Sequence, residues 1–506
     1  MLHKRHLALP DGSPAWLASL LALAGGRCYT LPVNRSQNIF LCLAAAIVAY
    51  QSVLPPVVSI ANNGDFPKVI GQFGIWPRYD DWAFANATFD IQPVHRWSGG
   101  FFSTETALVP AALALNGLFS KDGNTFDVRC IGIIHGALFL LALWVFASLL
   151  SDRPPAVQAA VYALILVILC DVMYVGPLNS FYMDEAAYVF LLLTVATYLR
   201  VLRWRRGADL AFALVCALAM TAAKAQHAPL GAWFALLLLA TRWMFSGWKR
   251  RGVAAAAYAL MIVSALMLWK SAPPEYTLDA WYNVTFSGIL PHSKHMDAAM
   301  KDLDLDSSYI RYIGKNAFRP DSGMSSEEFR RSLAPKLSPG KLARFYLTHP
   351  RDTYRTVRSA LAKGARQRFG VGNFDISAGF PRYTESKAFS AWSGFKRALF
   401  FERGGLYIAS IAGAAAIFVL LLIAGRKMLP AGSLAAGFAL LGMEFTELGA
   451  TVADAADMDR HLMIFFALFD MMLIAVFYLI AAHVSAGRLS RTTGRNVPSV
   501  VEIAGR

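Results

Sequence analysis

Residues 404–425 read GGLYIASIAGAAAIFVLLLIAG, without one charged side chain, between Arg403 and the pair Arg426-Lys427. A helix needs about 20 mostly apolar residues to cross the hydrocarbon core of a bilayer. This stretch therefore reads as a membrane span. Moving outward, 429–452 and 460–483 follow toward the C-terminus, and 37–60, 128–150, 156–176, 185–202, 208–225, 228–245 and 252–270 precede it. Composition agrees: 56% of the 506 residues are hydrophobic and only 16% charged, whereas soluble domains carry about a quarter charged residues. Disorder is excluded by the same balance, and 12 Trp, 18 Tyr and 34 Phe supply interfacial anchors and lipid-facing surface. The expected fold is an all-α polytopic membrane protein, a bundle of about ten transmembrane helices with juxtamembrane helices on the outer face and a mainly helical extramembrane segment.

The formal charge of +15 first suggests nucleic acid, but no zinc-finger, RRM or helix-turn-helix pattern accompanies it. Basic residues in so apolar a chain mark cytoplasmic loops or a surface meeting anionic lipid. With ten spans, the groups Lys4/Arg5/Arg27/Arg35, Arg153, Arg200/Arg203/Arg205/Arg206, Arg242/Lys249/Arg250/Arg251, Arg426/Lys427 and Arg488/Arg491/Arg495 fall on one side. By the positive-inside bias that side is cytoplasmic. The expected organisation is a cytoplasmic segment 1–36, seven spans over 37–270 with a first outer loop at 61–127, an outer helical region at 271–403, three spans over 404–483 and a cytoplasmic tail 484–506. Segment 101–119 is nearly long enough to span but carries Thr104, Glu105, Pro110 and Asn116, and an eleventh span would split the arginine groups; it is expected as an interfacial helix. Cys28, Cys42, Cys130, Cys170 and Cys216 have no paired spacing, so no disulfide framework is expected. The short apolar run after Lys4 and Arg5 lacks a small-residue cleavage site, and no cleaved signal peptide is expected.

On this topology most carboxylates collect on the outer face: Asp65, Asp80, Asp81, Asp90, Asp184, Glu185, Asp454, Asp457 and Asp459. A proton or ion pathway would instead string ionisable groups through the depth of several spans, where only Glu444, Glu447 and Asp470 look embedded. A site at the outer surface is favoured. Asn62-Asn63-Gly64-Asp65-Phe66 is a turn leaving the first span; Asp65 is either a carboxylate held at head-group level or the cap of an Asx turn. Asn179 and Tyr182 in the short loop 177–184 can hydrogen-bond hydroxyls, while Asp184 and Glu185 also suit a helix start. Lys224 is a snorkelling lysine or a cation for a lipid phosphate. Arg460 and His461 open the last span, where the helix dipole disfavours cations, so an anion or the neighbouring aspartates must compensate them.

In order along the chain, Asn62-x-Gly64-Asp65-Phe66, Asn179-Ser180-Phe181-Tyr182-x-x-Glu185, Lys224-x-Gln226 and Asp459-Arg460-His461-Leu462 resemble bacterial glycan-biosynthesis hexosyltransferases of the WsfD type, similar to members of the GT-C glycosyltransferase superfamily. The resemblance spans about 37–483; in the last motif Asp454-Ala455-Ala456-Asp457 stands where that pattern has Gly-Asp. It implies a GT-C-like bundle in the bacterial inner membrane, with a periplasmic active site that passes a hexose from a polyprenyl-phosphate donor to a glycan acceptor. Asp65 matches the family's acid in the first outer loop. Glycosyl transfer from a phosphate needs a base for the acceptor hydroxyl and positive charge for the departing phosphate; phosphate is already a good leaving group. Asp65 is then the catalytic base of an inverting displacement. Lys224, Arg460 and His461 bind the donor phosphate, and Asn179, Tyr182 and Glu185 contact sugar. Asp80 and Asp81 are the candidates for a divalent metal, Mg or Mn, against the alternative of two solvated loop aspartates.

Region 271–403 carries the basic run Lys341, Arg344, Arg351, Arg355, Arg358, Lys363, Arg366 and Arg368 at helical spacing. It reads as a solvated face, a contact to anionic head groups or a guide for an acidic glycan. The partners expected are the lipid-linked donor, the glycan acceptor and membrane lipids, with no nucleic acid. The alternatives are an O-antigen ligase or polymerase type of enzyme, whose chemistry would rest on loop arginines, and a transporter of lipid-linked sugars.

Overall fold

A computed structural model of the chain describes residues 35–93, 101–118, 120, 123–270, 274–427, 429–452, 455 and 457–493; Lys4, Arg5, Arg27, Cys28, Asp454, Ala456 and Arg495, named above, lie outside them. Helices occupy all ten apolar stretches: α1 (Arg35–Ser52), α4 (Arg129–Leu149), α5 (Pro155–Leu169), α7 (Met183–Trp204), α8 (Gly207–Thr221), α9 (Ala228–Thr241), α10 (Gly247–Lys270), α17 (Gly404–Gly425), α18 (Ser433–Val452), and the short α19 (Met458–His461) leading into α20 (Met463–Thr493). The chain is an all-α polytopic membrane protein. Among the described residues, five helices are long and apolar enough to cross a membrane by themselves, and a sixth span results if α5 and the bent segment after it are joined. Part of the difference from ten has a physical cause in α8 and α9. At 15 and 14 residues, and 1.5 Å rise per residue, each covers only about 20 Å of a core roughly 30 Å thick. The apolar run 156–176 is likewise broken: Asp171 accepts a hydrogen bond from the Met173 amide at 2.9 Å and caps α6 (Val172–Val175), and the chain turns by 56° there.

Helix α7 is the axis of the bundle. Buried residues make up 78% of its apolar window, against 22% for α17, which lies at the lipid-facing periphery. Helices α4, α8 and α20 pack against α7. On α4, a Cβ built on Gly132 would lie 1.6 Å from Asn179 Oδ1, so only glycine permits α4 to approach the loop that precedes α7. Segment 101–119 forms α3 (Thr104–Asn116), capped by Ser103, whose hydroxyl accepts from the Glu105 amide. Its 13 residues are too short to span, and its Glu105, Val109, Ala112 and Asn116 face is buried, with the helix packed on α4 and α7.

Between α1 and α4 lies a small antiparallel sheet, β1 (Ile75–Pro77), β2 (Thr88–Ile91) and β3 (Thr125–Asp127), in that order, with Trp76 opposite Asp90 and Phe89 opposite Phe126. Phe89 turns inward and joins Phe66, Phe126 and Phe181, with ring centroids 5.3–6.4 Å apart. That aromatic cluster pins α2 (Phe66–Ile70), and hence Asp65 beside it, to the loop before α7. Region 274–403 builds a second core around Tyr282, Phe286, Tyr309, Tyr312 and Leu333 from α11 (Pro274–Asn283), α12 (Met296–Asp302), α13 (Glu327–Leu333), α14 (Pro339–Thr348) and α15 (Pro350–Gly364). Helix α15 buries Thr356, Ala360, Leu361 and Gly364 and crosses α17 closely, while α16 (Ala391–Phe400) packs on α5 and α17.

Candidate active site

The turn after α1 is organised by Asn62, whose side-chain Oδ1 accepts from the amides of Gly64 and Phe66, each at 3.0 Å. Gly64 takes φ +100°, a conformation that suits glycine. This decides between the two readings of the turn. Asn62 performs the capping, and Asp65 makes no side-chain cap bond to α2. The Asp65 carboxylate is therefore available to other groups.

Those groups come from the opposite end of the chain. Arg460 Nη2 lies 2.6 Å from Asp65 Oδ2, its Nη1 lies 3.5 Å from Asp184 Oδ2, and its Nε lies 3.1 Å from Asp457 Oδ2. One planar guanidinium thus engages three carboxylates, as its fork of fixed donors allows. Its plane also sits over the Tyr182 ring, 4.4 Å from the centroid. Lys68, one turn after Asp65 on α2, donates to Asp65 Oδ1 and lies 4.4 Å from the Tyr276 ring centroid. On α7, Asp184 accepts from Lys224 Nζ at 3.0 and 3.1 Å and pairs with His227 Nε2 at 3.0 Å, and His227 Nδ1 reaches Glu447 Oε2 on α18 at 2.9 Å. Gln226 ties this corner to Thr451 Oγ1 and the His461 carbonyl, both at 3.0 Å.

Four carboxylates and four basic side chains form this network, so with His227 protonated it is formally neutral. Neutrality is what its burial demands, because an uncompensated charge at such depth is costly. The Asp184 and Glu447 side chains are at most 1% exposed, whereas Asp65 is 19% and Asp457 31% exposed. The network has a buried base and an open rim, and Asp65 is on the rim. Burial pushes the Asp65 carboxyl up, but Arg460, Lys68 and Lys224 together outweigh it and hold the group well below the usual carboxylate range. His227, in the connection between α8 and α9, is pushed down by burial and up by Glu447 and Asp184, and the carboxylates win, raising it to about 8. Beside the rim, a recess of about 310 Å³ is lined by Asp457, Met458 and Asp459 and by Lys363, Arg366 and Phe401 of region 274–403.

The sequence candidates divide accordingly. Asp65, Lys224 and Arg460 come together. His461 is adjacent, with Nε2 3.1 Å from Arg460 Nη2, so it holds the guanidinium from behind. The three residues assigned to sugar are buried. Asn179 donates to the Ser52 and Val58 carbonyls at 2.8 Å each, and the Tyr182 hydroxyl donates to the Ala61 carbonyl at 2.8 Å and accepts from the Asn63 amide at 3.2 Å. Both brace the segment that leads from α1 to Asp65. Glu185 has no exposed surface, and neither of its oxygens meets a partner among the described residues. Asp81 is chelated by Arg382 at 2.8 and 3.0 Å, and Asp80 accepts from Asn62 Nδ2 at 3.4 Å. No cluster of three or more His, Cys, Asp or Glu side chains suited to a metal occurs among the described residues.

The sequence reading left out His135, and it placed Asp470 within the membrane without a partner. His135 in the middle of α4 bridges Glu105 Oε2 at 3.1 Å and the Leu178 carbonyl at 2.8 Å. Asp470 on α20 accepts from Lys396 Nζ at 2.8 Å, Trp392 Nε1 at 2.8 Å and the Tyr174 hydroxyl at 2.7 Å. In the site itself, Lys68 follows the first motif at i+3 from Asp65, the spacing of a helical ion pair; His227 follows the third motif, and no local pattern pairs it with Asp184 or Glu447.

Comparison with curated proteins returned no match. The family model described as the YfdI N-terminal transmembrane domain matches residues 29–497, which includes every helix described above and all four motifs. The chain belongs to the YfdI N-terminal transmembrane domain family, a family of membrane proteins.

Proposed function

We propose that this protein is a GT-C-type glycosyltransferase of the bacterial inner membrane, resembling the WsfD-type hexosyltransferases, which moves a hexose from a polyprenyl-phosphate donor to a glycan acceptor at the periplasmic face. The observation that carries the reading is the pairing of one rim carboxylate, Asp65, with Arg460 and Lys68 in a buried, charge-balanced pocket. A phosphate is the anion that such a pair of cations suits, and membership of a transmembrane family agrees with a lipid-borne substrate.

In the resting arrangement Asp65 is ion-paired and a weak base. The donor phosphate competes for Arg460 and Lys68, with Lys224 behind them, and each contact transferred to the phosphate removes one that held the carboxylate acidic. Donor binding in this way raises the basicity of Asp65. The acceptor hydroxyl oxygen then bonds to the anomeric carbon as the bond from that carbon to the phosphate oxygen breaks. The bonding pair leaves with the polyprenyl phosphate, Asp65 takes the hydroxyl proton, and the arginine and lysines stabilise the charge that develops on the phosphate. Attack opposite the leaving group inverts the anomeric centre. The recess flanked by Lys363, Arg366 and Asp457 is the proposed acceptor approach, where the outer region selects the glycan.

The test is purified protein in lipid with a labelled polyprenyl-phosphate hexose and a glycan acceptor. A new glycosidic bond of inverted configuration is the expected product. Movement of the labelled lipid-linked sugar across a sealed vesicle, without any new bond, would overturn the assignment in favour of transport.

A further inference from the structure

At the other end of the bundle is an apolar cavity of about 390 Å³, within the size range of small-molecule and cofactor pockets. Its walls come from the C-terminal halves of α4, α7 and α17, the N-terminal half of α18, the middle of α20, and α5 and α9; Val195, Phe234, Leu422, Ala436, Leu440 and Ala475 are representative. Asp184 and Arg203 stand 19 residues apart on α7, about 28 Å along a helix and so nearly the full hydrocarbon thickness. The cavity and the Asp65 site therefore belong to opposite leaflets, and the cavity lies on the arginine-rich side.

Arg153 and Arg203 are part of the cavity wall. They share a single carboxylate: Arg203 Nη2 lies 2.6 Å and Arg153 Nε 3.9 Å from Asp152. Two guanidinium groups on one aspartate leave one surplus positive charge at the edge of an apolar space. Arg153 Nε is buried, and among the described residues it has no hydrogen-bond acceptor, a deficit that a native structure ordinarily corrects with a ligand or water. The wall residues Leu421, Ala424 and Leu440 are themselves partly or fully exposed.

We propose that this cavity is a binding site for one anionic glycerophospholipid of the arginine-rich leaflet, with an acyl chain in the cavity and the head-group phosphate on Arg153 and Arg203. The charge surplus selects an anionic head, and the apolar walls select an acyl chain. The site is separate from the transfer chemistry and stands whether or not that reading holds.

The test is native mass spectrometry of the full chain released from nanodiscs containing phosphatidylglycerol and phosphatidylcholine in equal amounts. One phosphatidylglycerol per chain is expected to survive detergent removal, in clear preference to phosphatidylcholine. Arg153→Gln is expected to weaken its retention roughly tenfold, the loss of one charged hydrogen bond. Ala436→Phe, which fills the chain space, should abolish it while the thermal unfolding midpoint holds. Arg205→Gln with Arg206→Gln, exposed on the same face, should leave retention unchanged. Equal retention of the two lipids, indifference to Ala436→Phe, equal loss in the Arg205/Arg206 variant, or displacement by a polyprenyl phosphate at equimolar concentration would each overturn the proposal.

Discussion

Arg460 is the most informative residue to perturb, because three carboxylates depend on one side chain. In Arg460→Gln, Asp65, Asp184 and Asp457 lose partners at 2.6, 3.5 and 3.1 Å. Removing one member of a buried ion pair costs about 3–5 kcal/mol. Lys68 stays on Asp65, and Lys224 and His227 stay on Asp184, so the lower end, about 3 kcal/mol, is expected. Loss of a preorganised donor to developing charge lowers turnover by roughly 10²–10³-fold. Arg460→Lys separates the two effects. A single ammonium restores the charge but cannot bridge three carboxylates that are met by three different nitrogens. This variant should keep most of the thermal stability while losing transfer by about tenfold or more. Unfolding midpoints in detergent and single-turnover transfer from a polyprenyl-phosphate hexose measure the two quantities on the same samples. Wild-type transfer by Arg460→Gln, with the fold intact, would refute the assignment of Arg460 to the phosphate.

Three further outcomes follow from the buried charges. The His227 value, raised from 6.5 to about 8, contributes roughly 2 kcal/mol of stability that is fully present below pH ~6.5 and lost as pH rises through ~8; His227→Gln should flatten the pH dependence of the unfolding midpoint in that window, and an unchanged profile would contradict the bridge. Lys396→Met leaves Asp470 buried without its cation and should destabilise by about 3–5 kcal/mol, whereas Lys396→Met combined with Asp470→Leu should recover much of that loss; equal destabilisation by the single and double variants would show that the pair is not coupled. Replacing Asp80 and Asp81 together by Asn should leave transfer within about twofold of wild type, as for surface substitutions away from a site, and a loss that added Mg or Mn restores would mark these residues as metal ligands.

The membrane class was legible in runs such as 404–425, because a bilayer imposes its thickness on composition directly. Helix ends were less so. Nothing in the apolar run 156–176 announces that Asp171 will cap a new helix and bend the chain, since the decision rests on tertiary contacts of a single side chain. The Asp65 loop was legible as a turn, yet its division of labour was not: Asn62 and Asp65 are both turn formers, and only the fold reveals which one caps. Arg460 was identified by its discordant charge at a helix start, a local signal. Its partners at 65 and 184 are distant in sequence, and no periodicity links them. The bonds of Asn179 and Tyr182 to backbone carbonyls were not legible for a related reason, because the hydrogen-bonding capacity that suits a sugar equally suits a buried backbone carbonyl. Lys396, within the basic region 274–403, carries no sequence mark that distinguishes it from its solvated neighbours, although it is 1% exposed and reaches Asp470 inside the bundle.

The central claim is that Asp65 takes the proton of the acceptor, and Asp65→Asn tests it most directly. Asparagine keeps the size and the contacts to Lys68 and Arg460 in part while removing the base, so the variant should fold. With purified protein and saturating donor and acceptor, transfer is expected to fall by roughly 10²–10⁴-fold, the range for loss of a general base, with donor binding retained. Transfer by Asp65→Asn at the wild-type rate would contradict the account.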